Sequence, residues 1–135
     1  MRKMPKEISF ACSGHANVLA THGNSLEFTK DTELSVKGDC ILGVGCDFNA
    51  GDLADIARNS GNFEMNLEAG DARDSVHGRI NAKFGHRDEI VMRIGEFSSE
   101  RTFGIRCDKP AAMINRRLIE NLKKGARLNV RIKAV

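Results

Sequence analysis

The chain contains no tryptophan and no tyrosine, and seven phenylalanines are its whole aromatic complement. A platform for stacking nucleic acid bases would have to be built from those few rings, which weighs against single-strand recognition by stacking. Two prolines are too few for a Pro-rich linker or recognition segment. The four cysteines, at 12, 40, 46 and 107, form no C-x2-C pair, so the common zinc and thioredoxin-type spacings are missing. The longest stretch free of charged or strongly polar residues is 40–46, far short of the roughly 20 residues of a membrane span. The charged start Met1-Arg2-Lys3-Met4-Pro5-Lys6-Glu7 has no apolar core of a secretory signal behind it. These absences predict a soluble cytoplasmic protein that does not engage membranes. In a reducing compartment its four thiols are expected to be free, most of them buried as small apolar side chains.

What remains is an ordinary folded composition: 135 residues, 41% hydrophobic and 29% charged, enough for one domain over residues 1–135 without a metal or disulfide staple. The net charge of +3 is a cancellation. Residues 1–68 hold 6 basic and 10 acidic groups, whereas residues 69–135 hold 15 and 8.

Short alternating apolar runs dominate, the mark of half-buried strands. They place Ile8, Phe10 and Cys12 on one face, then Phe63, Met65, Leu67 and Ala69, then Val76, Ile80, Ala82 and Phe84. Ile90, Met92 and Ile94 follow, then Phe103, Ile105 and Cys107, and finally Leu128, Val130 and Ile132. Gly23-Asn24 between residues 17–22 and 25–30 predicts a two-residue hairpin turn. Residues 40–44 read as a strand covered on both faces. Helical spacing occurs twice. One segment covers residues 51–59; the other starts at Asp108-Lys109-Pro110, buries Ala111, Ile114, Leu118 and Leu122, and stops at Gly125.

Residues 43–50, Gly-Val-Gly-Cys-Asp-Phe-Asn-Ala, align without gaps on residues 104–111, Gly-Ile-Arg-Cys-Asp-Lys-Pro-Ala. In each the strand ends in Cys-Asp, a helix follows, and a glycine leads into an alternating strand. The pattern predicts a strand-strand-helix-strand unit used twice, with pseudo-repeats at about 7–70 and 75–135. Asp47 and Asp108, which match in the two copies, are expected to cap the helices they precede. The predicted class is α+β, mainly β, with two helices. Duplicated units of this kind resemble the halves of double-psi and related small barrels, whose closure removes exposed strand edges; an unduplicated sheet with two helices on one face is the competing architecture. The usual Gly-Asp of double-psi barrels is replaced here by Gly61-Asn62 and Gly125-Ala126.

Polar residues suited to chemistry concentrate in Gly14-His15-Ala16-Asn17-Val18, Thr21-His22, Thr29-Lys30-Asp31 and Lys37-Gly38-Asp39-Cys40-Ile41. Around these segments, the series Gly14-His15-Ala16-Asn17-Val18, Ala20-Thr21-His22, Glu27-Phe28-Thr29-Lys30-Asp31, Gly38-Asp39-Cys40-Ile41-Leu42-Gly43-Val44 and Arg101-Thr102-Phe103-Gly104-Ile105-Arg106-Cys107-Asp108-Lys109-Pro110-Ala111 resembles the archaeal domain-of-unknown-function family numbered 371 over nearly the whole chain. The resemblance implies an archaeal protein and brings no activity, cofactor or partner with it. Read from the residues, His15, His22, Lys30, Asp39 and Cys40 are candidate catalytic residues. Cys40 would be a nucleophile if Lys37 or Lys30 stabilised its thiolate, Asp39 a general base, and Lys30 an anion holder. His15 and His22 are weak metal-ligand candidates because their spacing of seven sends them to opposite faces of one strand. The bland reading makes them turn residues bonded to backbone.

The basic half supplies a second candidate. Arg127, Asn129, Arg131 and Lys133 alternate with Leu128, Val130 and Ile132, while His77, Arg79, Asn81 and Lys83 form a similar face, and Arg116 and Arg117 lie on the last helix. Arg79, Lys83, Arg116, Arg117, Arg127, Arg131 and Lys133 are therefore candidate ligand-binding residues for a nucleic acid or another phosphate-bearing partner. Pairing of Glu64 and Glu68 with this surface would leave it merely solvated. The leading expectation is binding of such a phosphate-bearing ligand; an enzyme using the first polar set and a structural partner-binding module are the alternatives. Neither cofactor nor oligomeric state is specified by these residues.

Overall fold

The computed structural model describes residues 6–35, 38–59 and 61–135. The chain runs β1 (Glu7–Ser13), β2 (Ser25–Thr29), β3 (Ile41–Gly43), α1 (Ala50–Arg58), β4 (Asn62–Ala69), β5 (Ala72–Ile80), β6 (Glu89–Arg93), β7 (Thr102–Ile105), a 3-10 turn (Ala111–Met113), α2 (Arg116–Lys123) and β8 (Arg127–Ala134). It is an α+β protein, mainly β, with eight strands in one mixed sheet of order β1-β8-β4-β5-β7-β6-β2-β3. The outermost strands of this order meet: Ser13 and Val44 exchange both backbone hydrogen bonds, at 2.8 and 3.0 Å. Among the described residues no helix is long and apolar enough to cross a membrane.

The period-two pattern is realised directly in β8, where Leu128, Val130 and Ile132 are buried and Arg127, Asn129, Arg131 and Lys133 exposed. Six phenylalanines build the core as two edge-to-face groups: Phe10 with Phe28 and Phe48, and Phe103 with Phe63 and Phe84, at centroid separations of 5.5–5.7 Å. Such contacts add roughly 0.5–1.5 kcal/mol each beyond area burial. Gly104 is required by the second group, because a Cβ there would lie 2.6 Å from Phe63 Cζ.

Pairings recur along the chain. β2–β3 and β6–β7 are both parallel, and each shifts register, between Glu27 and Phe28 and between Val91 and Met92. Gly45 and Arg106 both take positive φ, 55° and 50°, and donate to the carbonyls of Asp31 and Gly95 at 2.8 and 3.0 Å. Lys30 donates to Asp88 and Ile94 to Asn24, at 2.9 and 3.0 Å.

Four local expectations are corrected. Residues 17–22 form no strand; β2 pairs instead with β6 and β3, because distant strands supply better partners than the short segment before Gly23. The second helix is broken, with a 3-10 turn first and α2 capped by the side chain of Asn115. Asn49 caps α1, which frees Asp47 and Asp108 from capping. They accept instead from strand amides, Ala11 N–H to Asp47 Oδ1 at 2.8 Å and His77 N–H to Asp108 Oδ1 at 2.9 Å. Finally, Cys12 and Cys46 form a disulfide, leaving Cys40 and Cys107 free; the β1–β3 contact at Ser13 and Val44 brings the two sulfurs together across 34 residues.

Candidate functional site

The first polar set lies in two loops, His15 and His22 between β1 and β2, and Lys30, Asp39 and Cys40 between β2 and β3. His15 Nδ1 accepts from the Asn17 amide at 3.0 Å. His22 Nδ1 accepts from the Asn24 amide and meets Ser25 Oγ, both at 3.2 Å. The Asp39 carbonyl receives the amides of Thr21 and His22, at 3.0 and 3.3 Å, so His22, Asp39 and Cys40 share a neighbourhood through the backbone. Lys30 stands apart, its ammonium 4.6 Å above the Phe48 ring. Lys37 lies outside the described residues. Among the described residues no three His, Cys, Asp or Glu side chains are grouped to hold a metal ion. Cys40 is half-buried, and burial, then the charges of Glu27 and Asp39, push its thiol up to about 11; a neutral thiol is a poor nucleophile.

Beside Cys40 lies a group that alternation conceals. Ser25, Glu27 and Thr29 read as a solvent face, yet all five residues of β2 are buried. Glu27 is raised to about 7, chiefly by burial and then by Glu89, against the opposing pull of Arg101 and Arg93. Arg101 donates to Glu27 at 3.2 Å and to Glu89 at 2.8 Å. A strand pattern carries no signal that loops will cover its polar face.

The basic candidates divide by partner. Arg116 donates to the carbonyls of Ile114, Ala20 and Ala111 at 2.9, 3.0 and 2.7 Å and so holds loops together. Arg117 clasps Asp71 with two nitrogens, which holds that carboxyl well below the usual range. Lys133 stands in register between Glu7 and Glu64. Arg79 is the penultimate residue of β5, and Lys83 lies beyond it in a turn where its amide donates to Asn81 Oδ1 at 3.2 Å. Glu64 and Glu68 do pair with this side of the hairpin, Glu68 with Arg73 at 3.0 Å and Glu64 with His77 at 3.9 Å.

Arg127 and Arg131 converge with Arg73, a residue outside the sequence candidates, on a groove of about 720 Å³ over β1, β8 and β4. Its floor is low because Ser9 and Ala11 are short while the register neighbours Arg131 and Asn129 are long. Asn66, Asp47, Glu68 and Asp74 complete the polar lining. Arg131 is 3.3 Å from Glu7; Arg127 bonds Asn129 Oδ1 at 3.2 Å and has no carboxylate partner among the described residues. Arg79, Lys83, Arg116, Arg117 and Lys133 do not line this groove.

Two comparisons bear on identity. The chain is 30% identical over 132 residues to an uncharacterised protein of Methanocaldococcus jannaschii, the match covering 93% of this chain and 98% of that one. The model of the domain-of-unknown-function family DUF371 matches residues 10–135. The matched stretch includes both cysteine-aspartate strand ends and the buried Glu27, and the chain belongs to the DUF371 family.

Proposed function

We propose that the protein binds a phosphate-bearing ligand in the groove over β1, β8 and β4. One observation carries this reading: three guanidinium groups, those of Arg73, Arg127 and Arg131, line one concavity, and that of Arg127 has no carboxylate partner among the described residues. A guanidinium fork matches phosphate oxygens bidentately, and Asn66, Asn129 and Ser9 add neutral hydrogen-bonding groups. RNA, DNA and small phosphate esters share this chemistry. A cytoplasmic setting accords with it.

The test is titration of the full chain with inorganic phosphate, a small phosphate ester, a short RNA and a duplex DNA, at two salt concentrations. Binding of at least one, weaker at high salt and lost in Arg127→Glu with Arg131→Glu, is the expected result. Unchanged binding in the double variant, or no binding by any probe, overturns the reading.

The recurring pairings support a further inference, that the sheet is a duplicated small barrel of the double-psi kind. The amides of Cys46 and Cys107 donate to Thr29 and Arg93, both at 3.0 Å, and those of Glu27 and Val91 to Cys40 and Arg101, both at 2.9 Å. One ancestral unit used twice accounts for such matched bonds.

A second functional reading is an enzyme centred on the N-terminal polar residues. The buried Glu27 favours it, because a carboxyl raised to about 7 is suited to general acid–base work at neutral pH. Amide chemical-shift mapping of a bound ligand separates the readings: shifts at Glu27, Cys40 and His22 favour the enzyme, shifts at Ala11, Arg127 and Asn129 the groove.

A further inference from the structure

The strand-and-aspartate arrangement at the groove recurs at Asp108 with a different side chain on the strand. Ala11 donates to Asp47 Oδ1 at 2.8 Å and accepts from the Asp47 amide at 3.1 Å. His77 and Asp108 repeat both bonds at 2.9 Å. Above the second strand, the His77 imidazole occupies the space beside the carboxylate, with Nδ1 3.4 Å from Asp108 Oδ2 and Nε2 3.9 Å from Glu64 Oε1. In the first half the matching side chain is the methyl of Ala11. Asp47 Oδ2 has no protein partner among the described residues, and Asn129 stands across from Ala11 as Glu64 stands across from His77. The space that an imidazole fills on one side is open groove on the other.

We propose that the groove takes a nucleoside phosphate, with its heterocycle over Ala11 donating an N–H to Asp47 Oδ2 and its phosphate on Arg127 and Arg131. This rests on the phosphate-binding reading and names the ligand class. His77 is the protein's own nitrogen heterocycle held by the same strand-and-carboxylate geometry, so the seat fits such a ring. A volume of about 720 Å³ falls within the roughly 300–1,000 Å³ of small-ligand sites. Of the lining carboxylates, Glu68 is paired with Arg73 at 3.0 Å and Asp74 with Lys109 at 2.6 Å, which leaves Asp47 as the lining carboxylate with no cationic partner among the described residues. A sugar phosphate without a base would leave Asp47 Oδ2 unused.

Calorimetric titration of the full chain with the four ribonucleoside 5′-monophosphates and with ribose 5-phosphate, at one salt concentration, tests the proposal. At least one nucleotide is expected to bind about tenfold or more tightly than ribose 5-phosphate. Ala11→His, which supplies an imidazole to the empty seat, and Asp47→Asn, which turns the acceptor toward a donor, are each expected to remove that difference. Thermal unfolding confirms that each variant is folded, and Asp47→Asn decides the matter if Ala11→His is not. Equal affinity for nucleotide and ribose 5-phosphate overturns the proposal and leaves phosphate binding standing. A nucleotide preference that survives Asp47→Asn also overturns it, and binding of no phosphate probe overturns both readings.

Discussion

Glu27 and Arg101, 74 residues apart in sequence, form an ion pair at 3.2 Å in which the same guanidinium nitrogen also holds Glu89 at 2.8 Å. The pair ties β2 to the segment entering β7. One cation serves two carboxylates, and the more buried of them is raised to about 7.

That relationship sets the pH dependence of stability. A carboxyl raised from 4.5 to about 7 on folding binds its proton more tightly in the native state. Its contribution is therefore fully present below about pH 4.5 and is lost as pH rises through about 7, by up to about 3 kcal/mol. Denaturant unfolding at pH 5 and pH 8 measures the loss. Glu27→Gln removes this component, flattening the profile over that window; an unchanged slope would show that Glu27 titrates normally.

The Cys12–Cys46 disulfide closes a loop of 34 residues, for which chain entropy gives a stabilisation of about 4 kcal/mol. Reduction is expected to lower the unfolding midpoint, and Cys12→Ala with Cys46→Ala to match the reduced protein. Thiol counting on the denatured chain should find two free groups without reductant and four with it. In the native state Cys40 and Cys107, pushed up to about 11 and 12 by burial, should label slowly at pH 8. Four reactive thiols before reduction would exclude the bridge.

Arg116 and Arg127 should respond differently to truncation. Arg116 spends its guanidinium on three carbonyls, so Arg116→Ala is expected to cost about 1–2 kcal/mol of stability, with Arg116→Lys restoring little because an ammonium lacks the planar fork. Arg127→Ala should alter stability by less than about 0.5 kcal/mol while weakening phosphate binding. Equal stability losses in the two variants would contradict this division.

Where strands lie and which way they face followed from local alternation, as β8 and the β4–β5 hairpin show, because a period of two is written in consecutive residues. Partner choice was not local. Gly23-Asn24 carries a hairpin signal, yet β2 takes β6 and β3, since pairing is settled by the whole sheet's hydrogen bonds and burial rather than by the nearest turn. Asp47 and Asp108 precede helices but bond to strand amides, because Asn49 and Asn115 already satisfy the helix starts.

The candidate site divides along the same line. Arg127 and Arg131 could be read from the exposed face of one strand, as could the cationic character of that half. Arg73 and Asp47, the groove floor at Ala11, and the burial of Glu27 could not. Each depends on side chains from separate strands and loops meeting at distances of a few ångströms, and such contacts leave no period in the residues that make them.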